Sequence, residues 1–264
     1  MVYTIGQPID QGGFALVFEG LDEFWNNVVL KVFKPSGRPF AEVRAQWARE
    51  QVLFRRLRHP NVVTIQDAFV CENLFYLALE RAWGNLATFV AQFGPLPEPR
   101  VRELGRQLLF ALHFVHQSGV IHKDVTIQNV LLFEGPPSRG PVFKISDFGI
   151  STDHLSSWGA VPVVNNRTYL LPEVLDIGFG TSSVRSDLYH LGLVLLFALQ
   201  GTLPLNAAMN QTDIVDAVRN GVPRQQAEQL GTALGNFVAI LLRRHADYRF
   251  PSALDAWRNL QKVP

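Results

Sequence analysis

The sequence has few of the features that would assign the protein to a specialised class, such as disulfide-rich, strongly charged or disordered proteins. Cys71 is the one cysteine among 264 residues, so the chain cannot form an internal disulfide, which fits a reducing compartment. The formal net charge is +1, which gives no basis for binding nucleic acid or an acidic membrane surface. Hydrophobic residues make up 47% and charged residues 18%, ordinary globular values that argue against disorder. The length allows one large domain or two smaller lobes.

Long hydrophobic runs are also lacking. The most apolar stretch, residues 188–199, contains His190 and is shorter than the roughly 20 residues that a membrane span needs. No basic segment followed by an apolar run stands at the N-terminus, so the sequence predicts no signal peptide. We therefore expect a cytoplasmic protein with no membrane segment, in which residues 188–199 form a buried helix.

What is present is a polar loop between two apolar flanks. Residues 120–132, VIHKDVTIQNVLL, begin and end with short runs that predict buried strands. Asp124 on such a loop can accept a proton from an incoming hydroxyl group, and Asn129 can bind a metal or hold the acid in place. The segment H-K-D-V-T-I-Q-N resembles the catalytic loop of protein kinases, H-R-D-L-x-x-x-N.

The start of the chain is rich in predicted strands. Residues 3–5, 14–18 and 28–33 are β-branched or aromatic runs, which predict three antiparallel strands joined by hairpins. The turn D-Q-G-G-F-A-L-V resembles the kinase glycine-rich loop, with Gly12 retained and with Asp10 and Ala15 at its outer positions. Glycine in that loop lets backbone amides approach phosphate oxygens. A plain hairpin turn explains the same residues.

A lysine and a glutamate are expected to pair next. Lys31 ends the run V-V-L-K, which resembles the kinase segment V-A-I-K, whose lysine holds the nucleotide phosphates and pairs with a helix glutamate. Residues 40–58 have helical periodicity, and Glu50 lies in their apolar stripe. A buried ammonium needs an anionic partner, so we expect Lys31 to pair with Glu50. The alternatives are a lysine on the solvent face of an edge strand and a solvated glutamate.

Residues 62–65, 68–71 and 74–79 predict two or three further strands. The segment L-E-R-A-W-G-N-L that follows resembles the hinge between the two kinase lobes. The resemblance implies that Leu79 is the gatekeeper and that backbone groups of Glu80 and Ala82 bind adenine. It places Asn85 near the ribose. The other nucleotide contacts that it implies are Gly12, Val17, Val29, Lys31, Leu131 and Asp147.

The pattern then changes from strands to helices, which indicates a second lobe. We predict an N-lobe at residues 1–80, with a five-stranded sheet and one helix, and a C-lobe at residues 81–264. Residues 101–116 predict a long apolar helix that carries His113 and His116 three positions apart. We interpret these as core or surface histidines, because no further metal ligands converge with them in sequence.

Later motifs extend the resemblance. Asp147-Phe148-Gly149 follows a predicted strand and matches kinase D-F-G, whose aspartate binds magnesium. Glu173 in L-L-P-E resembles the Pro-Glu glutamate of kinases, and Arg249 resembles the late arginine that pairs with it. Asp187 resembles the aspartate that braces the catalytic loop from a buried helix.

These features occur in one order over roughly residues 3–260 and resemble the eukaryotic-like serine/threonine protein kinases, and their short spacing is similar to that of the bacterial members. The resemblance implies an α+β fold of two lobes, a small antiparallel-sheet N-lobe with one helix and a larger, mainly helical C-lobe. It implies an enzyme that uses ATP and Mg²⁺ to phosphorylate serine or threonine hydroxyls of protein substrates. Lys31, oriented by Glu50, would hold the phosphates. Asp147 and Asn129 would hold magnesium, and Asp124 would accept the proton of the hydroxyl.

The departures from the family pattern lie around the acceptor. Thr126 stands where serine/threonine kinases have lysine, and the lost cation is worth on the order of 3 kcal/mol at the transferring phosphate. Asn166 replaces the threonine that normally contacts that lysine. Lys123 replaces an arginine that pairs better with a phosphorylated residue. We therefore expect activity without strict dependence on phosphorylation at Ser151, Thr152, Ser156, Ser157 or Thr168.

The same departures leave a second hypothesis open. The chain would then be a pseudokinase, which is a scaffold or regulator that holds nucleotide but transfers nothing. The intact Lys31, Glu50, Asp124, Asn129 and Asp147 favour the enzyme. The sequence names neither a substrate nor a pathway, and it leaves room for a regulatory domain or partner outside this chain.

Overall fold

A computed structural model of the chain describes residues 2–11, 15–34, 37–136, 140–149, 152–153, 167–206 and 208–264. Gly12 and Asn166 therefore lie outside the described residues, as do Ser151, Ser156 and Ser157. The chain divides into two compact units, Met1–Trp83 and Gly84–Pro264. Among the described helices, none combines the length and the apolar character needed to cross a membrane.

The first unit is built on a five-stranded antiparallel sheet, as predicted. Its strands lie in the order β1-β2-β3-β5-β4, so that β3 and β5 are interior strands. The sequence predicted two or three strands after the helix. The structure has two, because Ile65–Cys71 form one continuous strand with a register irregularity between Ile65 and Asp67. The strands are β1 Thr4–Gln11, β2 Ala15–Leu21, β3 Asn27–Phe33, β4 Ile65–Cys71 and β5 Leu74–Glu80.

One helix, α1 Phe40–Arg56, packs on this sheet. It ends two residues before the predicted end at residue 58, where the chain approaches Pro60. Its buried face carries Val43, Leu53 and Phe54, and the carboxylate of Glu50 lies among them. A charged group in that position needs a cation nearby to remain ionised.

The second unit is mainly helical, as predicted. Short antiparallel strands flank the loops of this unit. Strand β8 pairs with both β6 and β9, and β10 pairs with β7. These strands are β6 Gly84–Asn85, β7 Val120–Ile121, β8 Val130–Phe133, β9 Val142–Ile145 and β10 Thr152–Asp153. The described helices are α2 Leu86–Phe93, α3 Glu98–Gln117, α4 Pro172–Leu175, α5 Val184–Gln200, α6 Gln211–Asn220, α7 Val222–Gln229, α8 Ala233–Leu241 and α9 Ala253–Leu260.

Helix α5 forms the centre of the second unit. Every residue from Ser186 to Ala198 is buried, which confirms the buried helix predicted at residues 188–199. Ser183 caps its first turn in a capping box with Ser186, and Gly201 ends it in the left-handed conformation that glycine adopts without strain. Helices α3 and α8 pack against it. A helix buried on all sides fixes the position of any polar side chain that it carries.

Candidate active site

In the first unit, Lys31 and Glu50 form the predicted pair. Lys31 lies in the interior strand β3, opposite Val17 and Leu77 on the neighbouring strands. Its Nζ lies 2.6 Å from Oε1 of Glu50, and the two side chains are only 12% and 1% exposed. A solvent-facing lysine and a solvated glutamate are therefore both wrong. Because both side chains are buried, the contact with Glu50 fixes the position of the Lys31 ammonium group.

In the second unit, a tight turn shapes the loop that joins β7 to β8. The carbonyl oxygen of Thr126 accepts hydrogen bonds from the backbone N–H groups of Asn129 and Val130, each at 3.1 Å. Its hydroxyl oxygen accepts a weaker bond from the N–H of Asn129 at 3.3 Å. The Thr126 side chain is 3% exposed, so the loop uses it as a buried turn residue.

The same loop brings Asp124 and Asn129 together. The side-chain nitrogen Nδ2 of Asn129 donates to Oδ2 of Asp124 and to the Asp124 backbone carbonyl, both at 2.9 Å. The sequence predicted that this amide can bind a metal or hold the acid; its nitrogen holds the acid, and metal binding by its oxygen stays a prediction. Two bonds from one amide fix both the backbone and the carboxylate of Asp124.

His122 connects this loop to the segment that carries Asp147. Its Nδ1 accepts a hydrogen bond from the N–H of Asp124 at 3.2 Å, and its Nε2 lies 3.1 Å from the carbonyl oxygen of Ser146. The carbonyl requires a donor, so Nε2 carries the proton and the ring is the neutral Nε2–H tautomer. Burial lowers the pKa of His122, which keeps the ring neutral. The ring also packs on Phe148 at 4.7 Å between centroids.

Asp147 is held next to Asn129 by backbone contacts. The N–H of Ser146 donates to the carbonyl of Asn129 at 2.9 Å, at the point where β8 begins and its antiparallel partner β9 ends. Asp147 itself has a positive φ of 61° and accepts a bond from the N–H of Gly149 at 3.1 Å. A positive φ costs energy in a residue other than glycine and is often found at functional sites.

Asp187 of α5 braces the backbone of the catalytic loop, as the sequence predicted. Its carboxylate accepts bonds from the backbone N–H groups of His122 at 2.8 Å and Lys123 at 2.7 Å. His116 of α3 adds a third contact, with its Nε2 2.8 Å from Oδ2 of Asp187. Burial by itself would raise the pKa of the Asp187 carboxyl, but these hydrogen bonds and the nearby histidines outweigh burial and lower it. Asp187 is therefore an anion that orders the loop backbone.

Glu173 and Arg249 form the other predicted pair. The arginine donates through Nη1 and Nη2 to the two carboxylate oxygens of Glu173, at 2.9 and 2.7 Å. Both side chains are fully buried. Ser186 of α5 donates its hydroxyl to the same carboxylate at 2.7 Å. This bidentate pair ties α4 to the segment before α9 and to the central helix.

Comparison with known proteins agrees with this arrangement. The sequence profile of the family described as Protein kinase domain matches residues 3–256. The chain belongs to the protein kinase family. It is 27% identical to a probable serine/threonine-protein kinase of Clostridium perfringens, over 99% of this chain and 38% of that protein.

Two further relatives are serine/threonine kinases by name. One is CBL-interacting serine/threonine-protein kinase 7 of Arabidopsis thaliana, 32% identical over 77% of this chain and 47% of its own length. The other is the probable serine/threonine-protein kinase PknB of Lactococcus lactis, 31% identical over 77% of this chain and 32% of its own length. The kinase chain described here spans less than half the length of each of these relatives.

The predicted metal ligands of the kinase suit a hard cation. Asp147 offers a carboxylate, and the amide oxygen of Asn129 is the atom left for a metal once its nitrogen donates to Asp124. Among the described residues, no cluster of three or more His, Cys, Asp or Glu forms a metal cage. Proteins bind Mg²⁺ through one or two carboxylates together with substrate phosphates, and Asp147 offers one such carboxylate. The residues present therefore fit the ion that kinases use.

The predicted nucleotide contacts fall into both units. In the first, Val29 lies opposite Leu79 in the sheet, and the N–H of Glu80 donates to the carbonyl of Thr64 at 3.1 Å. In the second, Asn85 lies opposite Leu131, and its side chain caps α2 by accepting from the N–H of Thr88 at 2.9 Å. Capping was not predicted for Asn85. The contacts of these residues with a nucleotide stay predictions.

Sequence reasoning missed the partners of three side chains in the kinase. His116, interpreted as a core or surface histidine, contacts Asp187. His190 of α5 lies 3.0 Å from the carbonyl of Tyr169, and the hydroxyl of Tyr169 accepts from the N–H of Ile127 at 2.9 Å. The sequence feature that could have revealed the contacts of His116 and His190 is a histidine within an apolar helix, because a buried imidazole requires a hydrogen-bond partner.

Proposed function

We propose that the chain is an ATP-dependent protein kinase that transfers the γ-phosphoryl group to serine or threonine hydroxyls of protein substrates. Family membership supports the class of reaction, and the fixed position of Asp124 beside Asn129 supports an active loop. That hydrogen-bonded pair is the observation that carries the proposal, because a proton acceptor contributes to the rate only when its geometry is set before the reaction. We further propose that residues 1–80 and 81–264 are the two lobes of this enzyme.

Asp124 acts as the proton acceptor in this proposal. The acceptor hydroxyl approaches the carboxylate, which orients it and takes its proton. As the hydroxyl oxygen bonds to the γ-phosphorus of ATP, the bond from that phosphorus to the β–γ bridging oxygen breaks and ADP leaves. Asn129 keeps one carboxylate oxygen engaged, and His122 holds the backbone N–H of the same residue. Both contacts limit the rotation of Asp124 without neutralising its charge.

Lys31 and the metal ligands account for the charge on the nucleotide. Glu50 orients the Lys31 ammonium so that it can bind phosphate oxygens of ATP. Asn129 and Asp147 would hold magnesium, which when bound neutralises charge on the phosphates. The contacts proposed for the rest of the nucleotide are those with Gly12, Val17, Val29, Leu79, Glu80, Ala82, Asn85 and Leu131.

Thr126 favours a second candidate, a pseudokinase that binds nucleotide as a scaffold. The residue is buried and its oxygen atoms stabilise a turn, so it presents no cation to a transferring phosphate. A missing stabilising group of this kind lowers turnover by about 100- to 1000-fold in other enzymes. Slow transfer therefore agrees with the enzyme, and only its complete loss agrees with the scaffold.

Two measurements separate the candidates. Binding of Mg²⁺-ATP is followed by the shift in thermal unfolding, and transfer is followed with radiolabelled ATP on a mixed Ser/Thr peptide pool. We expect Asp124→Asn to keep the thermal shift and to lose transfer by at least about 100-fold, because it removes the proton acceptor but keeps the shape. Lys31→Met should lose the thermal shift. Asp216→Asn, an exposed residue of α6, is the matched control and should change neither.

Two results would contradict the proposal. Transfer by Asp124→Asn at the wild-type rate would remove Asp124 from its role. Binding of Mg²⁺-ATP by the wild-type protein with no transfer to any peptide in the pool would favour the scaffold.

A further inference from the structure

A buried hydrogen bond joins the catalytic loop to a tyrosine 42 residues away. The backbone N–H of Ile127 donates to the hydroxyl oxygen of Tyr169 at 2.9 Å. Both residues are 4% exposed, so water does not compete for this contact. A buried N–H without an acceptor is costly, so the Tyr169 oxygen satisfies a group that the loop itself leaves open.

The other end of Tyr169 is held by the central helix. Nε2 of His190 lies 3.0 Å from the carbonyl oxygen of Tyr169, so this nitrogen carries the proton and donates. The two rings also meet edge to face, with centroids 5.8 Å apart. Burial lowers the pKa of His190, which keeps its ring neutral and its donor in place. His190 is 3% exposed and belongs to the fully buried part of α5.

His190 and Asp187 lie three residues apart on α5 and therefore share a face of the helix. Asp187 holds the loop at His122 and Lys123, before Asp124. His190 reaches the loop through Tyr169 at Ile127, after Asp124. The central helix thus contacts the loop on both sides of the proposed proton acceptor.

We propose that His190 and Tyr169 are positioning residues for catalysis, which hold the second half of the catalytic loop against α5 while Asp187 holds the first half. The inference rests on the proposed function, because it assigns these two residues to the placement of Asp124 and Asn129. Ile127 lies between Thr126, which makes the turn, and Asn129, which holds Asp124. Movement at Ile127 therefore displaces the turn and the amide together.

The contact uses the main chain of residue 127 and the side chain of residue 169. It needs a backbone N–H, which every residue except proline supplies. Ile127 is thus required for its main chain as well as for its apolar side chain. The contact also needs a hydroxyl at residue 169, and phenylalanine there would keep the ring in the core while removing the acceptor.

The first experiment measures the contact without using activity. Hydrogen exchange at the Ile127 amide is followed by mass spectrometry or NMR in the wild type, Tyr169→Phe, His190→Met and His190→Gln. Tyr169→Phe should speed exchange at this amide by roughly 10-fold, because one hydrogen bond is lost. His190→Met should act in the same direction. His190→Gln should stay near the wild type, because the glutamine amide nitrogen can replace Nε2 as donor.

The matched control is Tyr248→Phe, which removes the hydroxyl of a tyrosine that is 63% exposed. It should leave exchange at Ile127 unchanged. Unchanged exchange in Tyr169→Phe would overturn the inference, whether or not the protein transfers phosphate. The outcome is thus independent of the proposed function.

The second experiment is a double-mutant cycle on turnover. Tyr169→Phe should lower kcat by roughly 10-fold with KM for ATP unchanged, since the contact orders the loop and is not proposed to bind nucleotide. In an Ile127→Pro background the same change should have no further effect on kcat, because the N–H is already gone. An equal loss of kcat in both backgrounds would overturn the inference. So would a loss of thermal stability without any loss of kcat in Tyr169→Phe.

Discussion

Replacing Arg249 with methionine should destabilise the second unit by about 3–5 kcal/mol, which is the usual cost of removing one partner from a buried ion pair. The substitution keeps an unbranched side chain of similar length but removes the guanidinium group. Both partners of the pair are fully buried, so water cannot take over the lost contacts. The Glu173 carboxylate would remain in an apolar interior, where the hydroxyl of Ser186 still donates to it.

The structure explains why the upper half of that range is expected. Arg249 makes two charged bonds to Glu173 and also donates to the carbonyl oxygens of Arg243, Arg244 and Arg185, at 2.7, 3.0 and 3.1 Å. Each buried acceptor left without a donor costs about 1–3 kcal/mol. Its guanidinium also packs over the ring of Tyr189 at 4.7 Å. These costs do not add in full, because the carbonyls can relax toward other donors.

Urea unfolding followed by far-ultraviolet circular dichroism measures the loss. The control is Arg224→Met, which breaks an ion pair with Glu228 whose side chains are 46% and 43% exposed. That variant should lose less than about 0.5 kcal/mol. Glu173→Gln combined with Arg249→Met should recover part of the stability lost in Arg249→Met alone, because no unpaired charge remains in the core. A loss below about 1 kcal/mol in Arg249→Met would refute the reasoning.

Three further predictions follow from burial and charge. Burial lowers the pKa values of His122 and His190 below 6.5, so the unfolded chain binds protons that the folded chain does not. Urea titrations should therefore show the free energy of unfolding falling as the pH is lowered through about 6.5. His190→Gln should reduce the slope of that dependence by up to about 1.4 kcal/mol per pH unit. A Cβ at Gly192 would lie 2.8 Å from Cγ of Leu242, so thermal unfolding should show Gly192→Ala less stable by about 1–3 kcal/mol. Thr168→Ala should change turnover by much less than about a hundredfold in the radiolabel assay, because Lys123 pairs poorly with a phosphate, and a larger change would contradict this.

The Lys31–Glu50 and Glu173–Arg249 ion pairs could be predicted from the sequence. Lys31 and Glu50 are 19 positions apart, and each was identified as a charge in an otherwise apolar segment. Glu173 and Arg249 are 76 positions apart, and each was identified from a segment that resembles a kinase motif. A buried charge needs a partner of opposite sign, and that requirement holds whatever the surrounding backbone does. Resemblance to the kinases then supplied the partner that local sequence could not.

The contacts of the Tyr169 hydroxyl and of the His116 side chain could not be predicted in the same way. Tyr169 has an apolar ring and a hydroxyl, and nothing in its sequence neighbourhood indicates which of the two matters. Its acceptor role depends on an N–H at Ile127, which every non-proline residue carries and which no side-chain pattern reveals. His116 had the same difficulty, since its partner Asp187 is 71 residues away. Such pairs require the packing of helices that only tertiary structure gives.

The buried polar side chains of α5 connect this central helix to other segments of the second unit. Ser186, Asp187 and His190 lie in the buried, largely apolar part of α5, and each has a partner outside the helix. Buried polar groups without partners would destabilise the unit, so the helix is stable only when the catalytic loop, the Tyr169 segment and Glu173 are all in position. The stability of the core and the geometry of the loop are therefore coupled. For this reason a substitution that removes the His190 donor, such as His190→Met, should alter the catalytic loop as well as the free energy of unfolding.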